Sequence, residues 1–184
     1  MNMIYEDKYS KKYYILMIRD NNLQFMEIKN KYKKNKENYE IKNLFESEND
    51  SKQFTDIIKG KYLFKGCVIN KFNDNYNIDY LYLYFKGEGN NFIIIDLLNR
   101  KIIEKIKINK DVESILNWNN NNLILQSKES FYIFNTRNNK IISKYSNFSR
   151  EKSNINSIKT FFSIKNNFYC LFTAESNINF YVAI

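Results

Sequence analysis

The segment FIIIDLLNRKIIEKI, Phe92 to Ile106, is written again 39 residues later as FYIFNTRNNKIISKY, Phe131 to Tyr145. Aligned position by position, Phe92 matches Phe131, Ile94 matches Ile133, Asn99 matches Asn138 and Lys101 matches Lys140; the match continues through Ile102 and Ile141, Ile103 and Ile142, and Lys105 and Lys144. Each copy is two short β-branched or aromatic runs around a polar turn, the pattern of strand, turn and strand. Such a repeat restricts the fold strongly, because it demands one supersecondary unit used several times, each copy burying its apolar faces on the next.

The copying extends upstream. YLYLYFKGEG (Tyr80 to Gly89) precedes the first phrase and NLILQSKES (Asn122 to Ser130) the second. YYILMIRDNNLQFMEI (Tyr13 to Ile28) follows the same template, with NNLQFMEI lying over NNFIIIDL, and FYCLFTAESNINFYVAI (Phe168 to Ile184) follows it again. These are four hairpins, with centres expected at Asp20 to Asn22, Gly87 to Asn91, Lys128 to Ser130 and Glu175 to Asn177. The last three begin near Tyr80, Asn122 and Phe168, 42 and then 46 residues apart; the first begins 67 residues before the second because of a long insertion.

A further strand-like run precedes each hairpin after the first: KYLFKGCVINKF (Lys61 to Phe72), DVESILNW (Asp111 to Trp118) and INSIKTFFSI (Ile155 to Ile164). KIIEKIKI and KIISKYS follow the second and third hairpins. Four strands per unit, named a to d, predict an all-β chain: a β-propeller-like array of four-stranded antiparallel blades. The blades fall at about 1–45, 61–108, 111–146 and 155–184 of a single unit spanning 1–184. A helical repeat of similar period is disfavoured, because the runs are short, β-branched and broken by Asn-rich turns, with no ten-residue helical apolar stripe.

On these grounds the sequence resembles a divergent WD40-type β-propeller. In that family strand c ends in an aromatic residue followed by Asp, and a Gly-containing turn leads into strand d. Ile95-Asp96, Phe134-Asn135 and Met26-Glu27 occupy the dipeptide place. No copy has Trp-Asp or a turn glycine, and a chain without His lacks the family's Gly-His dipeptide. The periodicity carries the resemblance, and a propeller of another family shares it. The resemblance implies about seven blades in a closed ring. Four blades use up this chain, so the expectation is an incomplete or open array, or else a small ring in which NMIYE (Asn2 to Glu6) closes the last blade as strand d. An open array leaves apolar end faces to be covered by a protein partner or by self-association through a terminal blade.

The residue inventory narrows the chemistry. With no His, Ser-His-Asp and Cys-His catalysis and imidazole metal sites are excluded, and two cysteines make no four-cysteine site. Cys67 and Cys170 sit in apolar runs and are expected as buried thiols in a reducing compartment. GEGNN (Gly87 to Asn91) joins two strands and lacks the P-loop pattern, so it reads as a hairpin turn. Asp74, Asp79, Glu88 and Asp111 are expected on the solvated surface, and Trp118 in the core. No catalytic, cofactor or metal residue is assigned. The resemblance therefore implies a non-catalytic scaffold.

The formal net charge is +9, which ordinarily suggests an anionic partner. Abundant Asn, Lys, Ile, Tyr and Phe, with no Pro and four Gly, mark an AT-rich codon bias that accounts for much of this lysine. The insertion from Lys29 to Lys61 is charged and expected to be partly disordered. It opens with Lys29, Lys31, Lys33, Lys34 and Lys36, offers a strand d in YEIKNLF (Tyr39 to Phe45), and turns acidic at Glu46, Glu48 and Asp50. Those five lysines are the candidate contacts for an anionic partner, with Tyr32 and Tyr39 available to stack on bases, so an RNA-associated propeller is the alternative function. The N-terminus makes no signal peptide, and no run approaches the ~20 apolar residues of a membrane span. A cytoplasmic or nuclear protein without membrane contact is expected.

Overall fold

The computed structural model describes residues 2–7, 10–28, 40–59, 63–71, 79–87, 89, 91–119, 121–127, 130–146, 155–164, 167–174 and 177–183. Four antiparallel sheets follow one another along the chain. The first contains β1 (Asn2–Asp7), β2 (Lys12–Arg19), β3 (Asn22–Ile28) and β4 (Ile41–Asn43). The second contains β5 (Leu63–Lys71), β6 (Asp79–Lys86), β7 (Phe92–Asp96) and β8 (Lys101–Ile106). The third contains β9 (Ser114–Asn119), β10 (Asn122–Gln126), β11 (Ser130–Asn135) and β12 (Lys140–Ser146). The fourth contains β13 (Ile155–Ile164), β14 (Asn167–Ala174) and β15 (Asn177–Ala183). Each strand pairs with its neighbour in sequence, so every sheet is a meander. Among the described residues, one helix apart, the fold is all-β, a propeller-like array of blades.

One of the sequence expectations is corrected here. NMIYE does not close the last blade: β1 pairs with β2, with Ile4 opposite Ile15, and so supplies strand a of the first. No pairing among the described strands joins the first sheet to the last. Of the insertion, residues 29–39 and 60–61 lie outside the described residues; the described part holds β4, within the strand d expected over Tyr39 to Phe45, and a 12-residue helix, α1 (Glu48–Lys59).

The chain divides into two compact units: Met1–Tyr62 with Asn99–Ile102, and Leu63–Leu98 with Ile103–Ile184. In the first, Asp20 and Asn21 carry φ of 51° and 58° between the paired Arg19 and Asn22. Two consecutive left-handed residues give the turn whose twist matches a hairpin. One sheet face buries Leu16, Leu23 and Phe25. The helix starts at Ser47, whose Oγ accepts the Asp50 N–H at 3.4 Å, and Glu48 and Asp50 suit the positive end of its dipole. Phe54 is fully buried and meets Phe45 at 5.5 Å, while the Ser51 and Thr55 hydroxyls donate to Asn22 Oδ1 at 3.4 and 3.0 Å. Arg100 pairs with Glu46 at 3.2 Å and lies 4.8 Å from the centre of the Phe25 ring.

The second unit has its core between its first two sheets. Tyr82, Tyr84, Phe92 and Ile94 pack with Ile115, Leu123, Leu125 and Phe134. Strands β7 and β10 are almost continuously buried, as in strands covered on both faces. Strands β5 and β9 run close together: a Cβ placed on Gly66 would lie 3.2 Å from the Ile115 nitrogen. Lys65 pairs with Glu113 at 2.6 Å, and the Asn70 amide donates to the Asn119 carbonyl at 3.1 Å. The turns into β8 and β12 place Arg100 and Asn139, one repeat apart, at φ of 53° and 55°, where glycine is the usual occupant.

Burial pushes the phenols of Tyr80, Tyr82 and Tyr84 up, Tyr82 most of all. A raised folded-state value favours the neutral phenol, so its stabilisation is complete below the ordinary value of about 10 and fades as pH rises above it. Unfolding titrations above that pH are expected to show a steep loss of stability that Tyr82→Phe makes shallower. An identical alkaline limb in the variant would count against this.

Candidate functional site

Antiparallel pairing carries the β6–β7 turn and the β8–β9 connection to the same end of the second unit. Between them lies an open groove of about 660 Å³, lined by Tyr84, Lys86, Gly87, Gly89 and Asn91 on one side and by Lys107 to Asp111 on the other. In GEGNN, expected as a hairpin turn, residues 88 and 90 lie outside the described residues; β6 and β7 pair on either side of it, the Phe85 N–H donates to the Asn91 carbonyl at 2.8 Å, and Gly89 takes a φ of 86° that other residues rarely adopt.

The connection is held by side chains acting in place of a strand. The buried Asn91 amide donates to the Ile108 carbonyl at 3.2 Å, and its Oδ1 accepts the Ile108 N–H at 2.9 Å. The Tyr84 hydroxyl donates to the Lys110 carbonyl at 2.9 Å. Asn91→Ala is expected to cost about 1–2 kcal/mol, because it leaves two buried backbone groups of Ile108 without their partner. It should also speed amide exchange at Ile108. Unchanged exchange there would show that Asn91 does not hold the connection.

Three lysines give the groove its character. Lys86 pairs with Asp111 at 2.6 Å, and hydrogen bonding to that carboxylate, more than their charge attraction, holds the lysine above its ordinary pKa. The Lys110 ammonium lies 5.6 Å from the centre of the Tyr132 ring, and Lys107 is exposed. Asp111 is the one acid described in the lining, and it is engaged by Lys86. The groove therefore offers cationic and amide contacts to an acidic or polar segment, rather than a paired acid and base.

Lys29, Lys31, Lys33, Lys34 and Lys36 lie outside the described residues, as do Asp74 and Glu88. Asp79, expected on the surface, is buried because it opens β6 and its carbonyl accepts the Leu97 N–H at 3.1 Å. Cys67 is half-buried and its thiol is pushed up by desolvation; for Cys170 the backbone alone is described, in β14. Trp118 is half-buried. Among the described residues no three Cys, Asp or Glu side chains gather as metal ligands, and no helix is long and apolar enough to cross a membrane.

No motif marks Lys107 or Lys110, and Asn91 stands out in the sequence only as the last residue of the GEGNN turn. The signal that points to them is positional: the repeat brings the b–c turn and the d–a connection of a blade to one end.

Fold and groove define a β-propeller-like array with a loop-built polar surface. Among solved structures the chain is similar to the Dos1 propeller, at 10% identity and a TM-score of 0.47, covering 92% of this chain and 41% of that one. The chain thus spans well under half the length of the propeller it matches. No protein-family model and no curated protein matches it.

Proposed function

We propose that the chain is a non-catalytic, WD40-like scaffold of the cytoplasm or nucleus that holds protein partners within a larger assembly. The observation that carries this reading is the groove. Its wall is pinned by Asn91 and Tyr84, and its lysines face a surface open enough to take an extended segment. A rigid frame with charged loop contacts suits recognition of an acidic peptide, since little ordering entropy is lost on binding. Partners dock on these loops and on an uncovered sheet face, including self-association through a terminal blade.

The test is binding of acidic peptides to the wild type and to Lys107→Glu with Lys110→Glu, read by fluorescence anisotropy. Charge reversal at two exposed contacts is expected to weaken binding at least ~10-fold, about 1.4 kcal/mol. Equal affinity in the two proteins removes the groove from the reading.

A second reading, RNA association, is favoured by the +9 charge. Lys29, Lys31, Lys33, Lys34 and Lys36 would then contact phosphates. Five such contacts to a single strand predict a slope of log affinity against log salt of about −3.5. Replacing all five by Gln should flatten that slope while moving the melting temperature little. A salt-independent affinity, or none for RNA, rejects this reading.

A further inference from the structure

In the first sheet, direct cross-strand pairing lines up Ile4, Ile15, Met26 and Ile41 in one row across all four strands. Directly opposed residues share a face, so this row lies on the side opposite Leu16, Leu23 and Phe25. Tyr13 and Met17 flank it on β2. The row is uncovered: Ile4 is 69% exposed and Ile41 40%, and Ile15 and Met26 are half-buried.

The repeat shows what this face is built to meet. Gln24 and Met26 align with Ile93 and Ile95 of the second sheet, and both of those isoleucines are fully buried. Phe134, at the corresponding place in the third, is 1% exposed and packs on the sheet before it. The equivalent face is thus covered in the second and third blades. In the first it keeps an apolar row without cover, where alternation with polar residues is usual for a strand facing water.

We propose that this face binds the same face of a second copy of the chain, turned end for end, forming a two-fold dimer. The proposal rests on the reading of a terminal blade as a self-association surface, and it identifies which blade and in which orientation. Charge selects the orientation. Glu6 stands at one end of the face, opposite Tyr13, and Arg19 at the other, opposite Asn22; both are exposed, and Arg19 has the exposed Asp20 as its partner at 3.4 Å. A copy laid on in the same direction gathers both glutamates at one end of the interface and both arginines at the other. Turned end for end, it carries each arginine toward the other copy's glutamate, while the isoleucine row still crosses its own counterpart.

Area sets the strength. Four strands about 4.8 Å apart and ~20 Å long present roughly 400 Å² per copy. Doubled, that falls below the ~1,200–2,000 Å² of standard stable interfaces, so the dimer dissociates on dilution.

Sedimentation of the full chain over about 1–300 μM, the range that a small interface calls for, tests this. The expected result is a monomer–dimer equilibrium. Ile4→Lys, at an exposed edge position, should shift its midpoint at least ~10-fold toward monomer with an unchanged circular dichroism spectrum. Glu6→Arg and Arg19→Glu should each weaken the dimer, and the two together should restore it. A wild type that stays monomeric throughout overturns the proposal, as does a dimer indifferent to Ile4→Lys. Open-ended growth beyond the dimer, or a charge swap that fails to restore, overturns the end-for-end arrangement. Since Lys107 and Lys110 are untouched, failure here is distinct from failure of the groove reading.

Discussion

Replacing Phe92 with alanine is expected to lower the unfolding free energy by about 3–5 kcal/mol, the cost of emptying a fully buried aromatic site. Phe92 is 0% exposed, and its ring lies 4.9 Å from that of Phe134, 5.9 Å from Tyr82 and 6.4 Å from Tyr84. It joins the second sheet to the third, so the loss falls on the packing between blades as well as within one. For a domain of this size each kcal/mol moves the melting temperature by about 2–4 °C, so a fall of at least ~6 °C is expected. Phe92→Leu, which keeps most of the volume, should cost far less. Denaturant unfolding followed by circular dichroism decides it, and a loss below ~1 kcal/mol would show that the two sheets do not depend on this contact.

Gly66→Val is expected to cost about 2–3 kcal/mol through overpacking. The added Cβ would meet the Ile115 nitrogen at 3.2 Å and its Cγ1 at 3.3 Å, and the backbone atom has no rotamer in which to retreat. Filling a strand glycine normally gains a few tenths to 1 kcal/mol by restricting the unfolded chain. Here the close approach of β5 to β9 reverses that sign. The same substitution should displace Glu113 from Lys65, and with it the connection that walls the groove, so peptide binding and stability should fall together. A variant of wild-type stability would mean that β9 moves aside freely.

How much of this was legible in sequence depends on where the information resides. The pairs β7 with β8 and β11 with β12 were readable because the chain writes them twice, and because strands buried on both faces show as unbroken apolar runs such as FIII. The expected hairpin centre at Asp20 to Asn22 joins β2 to β3, and the other three are flanked by paired strands, with residues 88, 90, 128, 129, 175 and 176 outside the described residues. The partner of β1 was not readable: Asn2 to Asp7 carries only the short apolar run Met3 to Tyr5, which fits a strand in any blade, and its place comes from pairing with β2. Helix α1 escaped because Phe54, Ile57 and Ile58 are one helical face too short to show a period, and its position is set by Asn22, 29 and 33 residues from Ser51 and Thr55. Asn91 illustrates the remainder. An Asn in an Asn-rich turn gives no hint that its side chain binds the backbone 17 residues away.

The meander order of the sheets has a consequence for synthesis on the ribosome. Each sheet completes itself from adjacent strands, so a blade can form as its last strand leaves the exit tunnel. Its neighbour comes later: Phe92 waits for Phe134, 42 residues downstream. At about 5–20 residues per second that interval is roughly 2–8 s. For those seconds the nascent second blade presents Tyr82, Tyr84 and Phe92 without their cover, which is long enough for a holdase chaperone at the tunnel mouth to engage it.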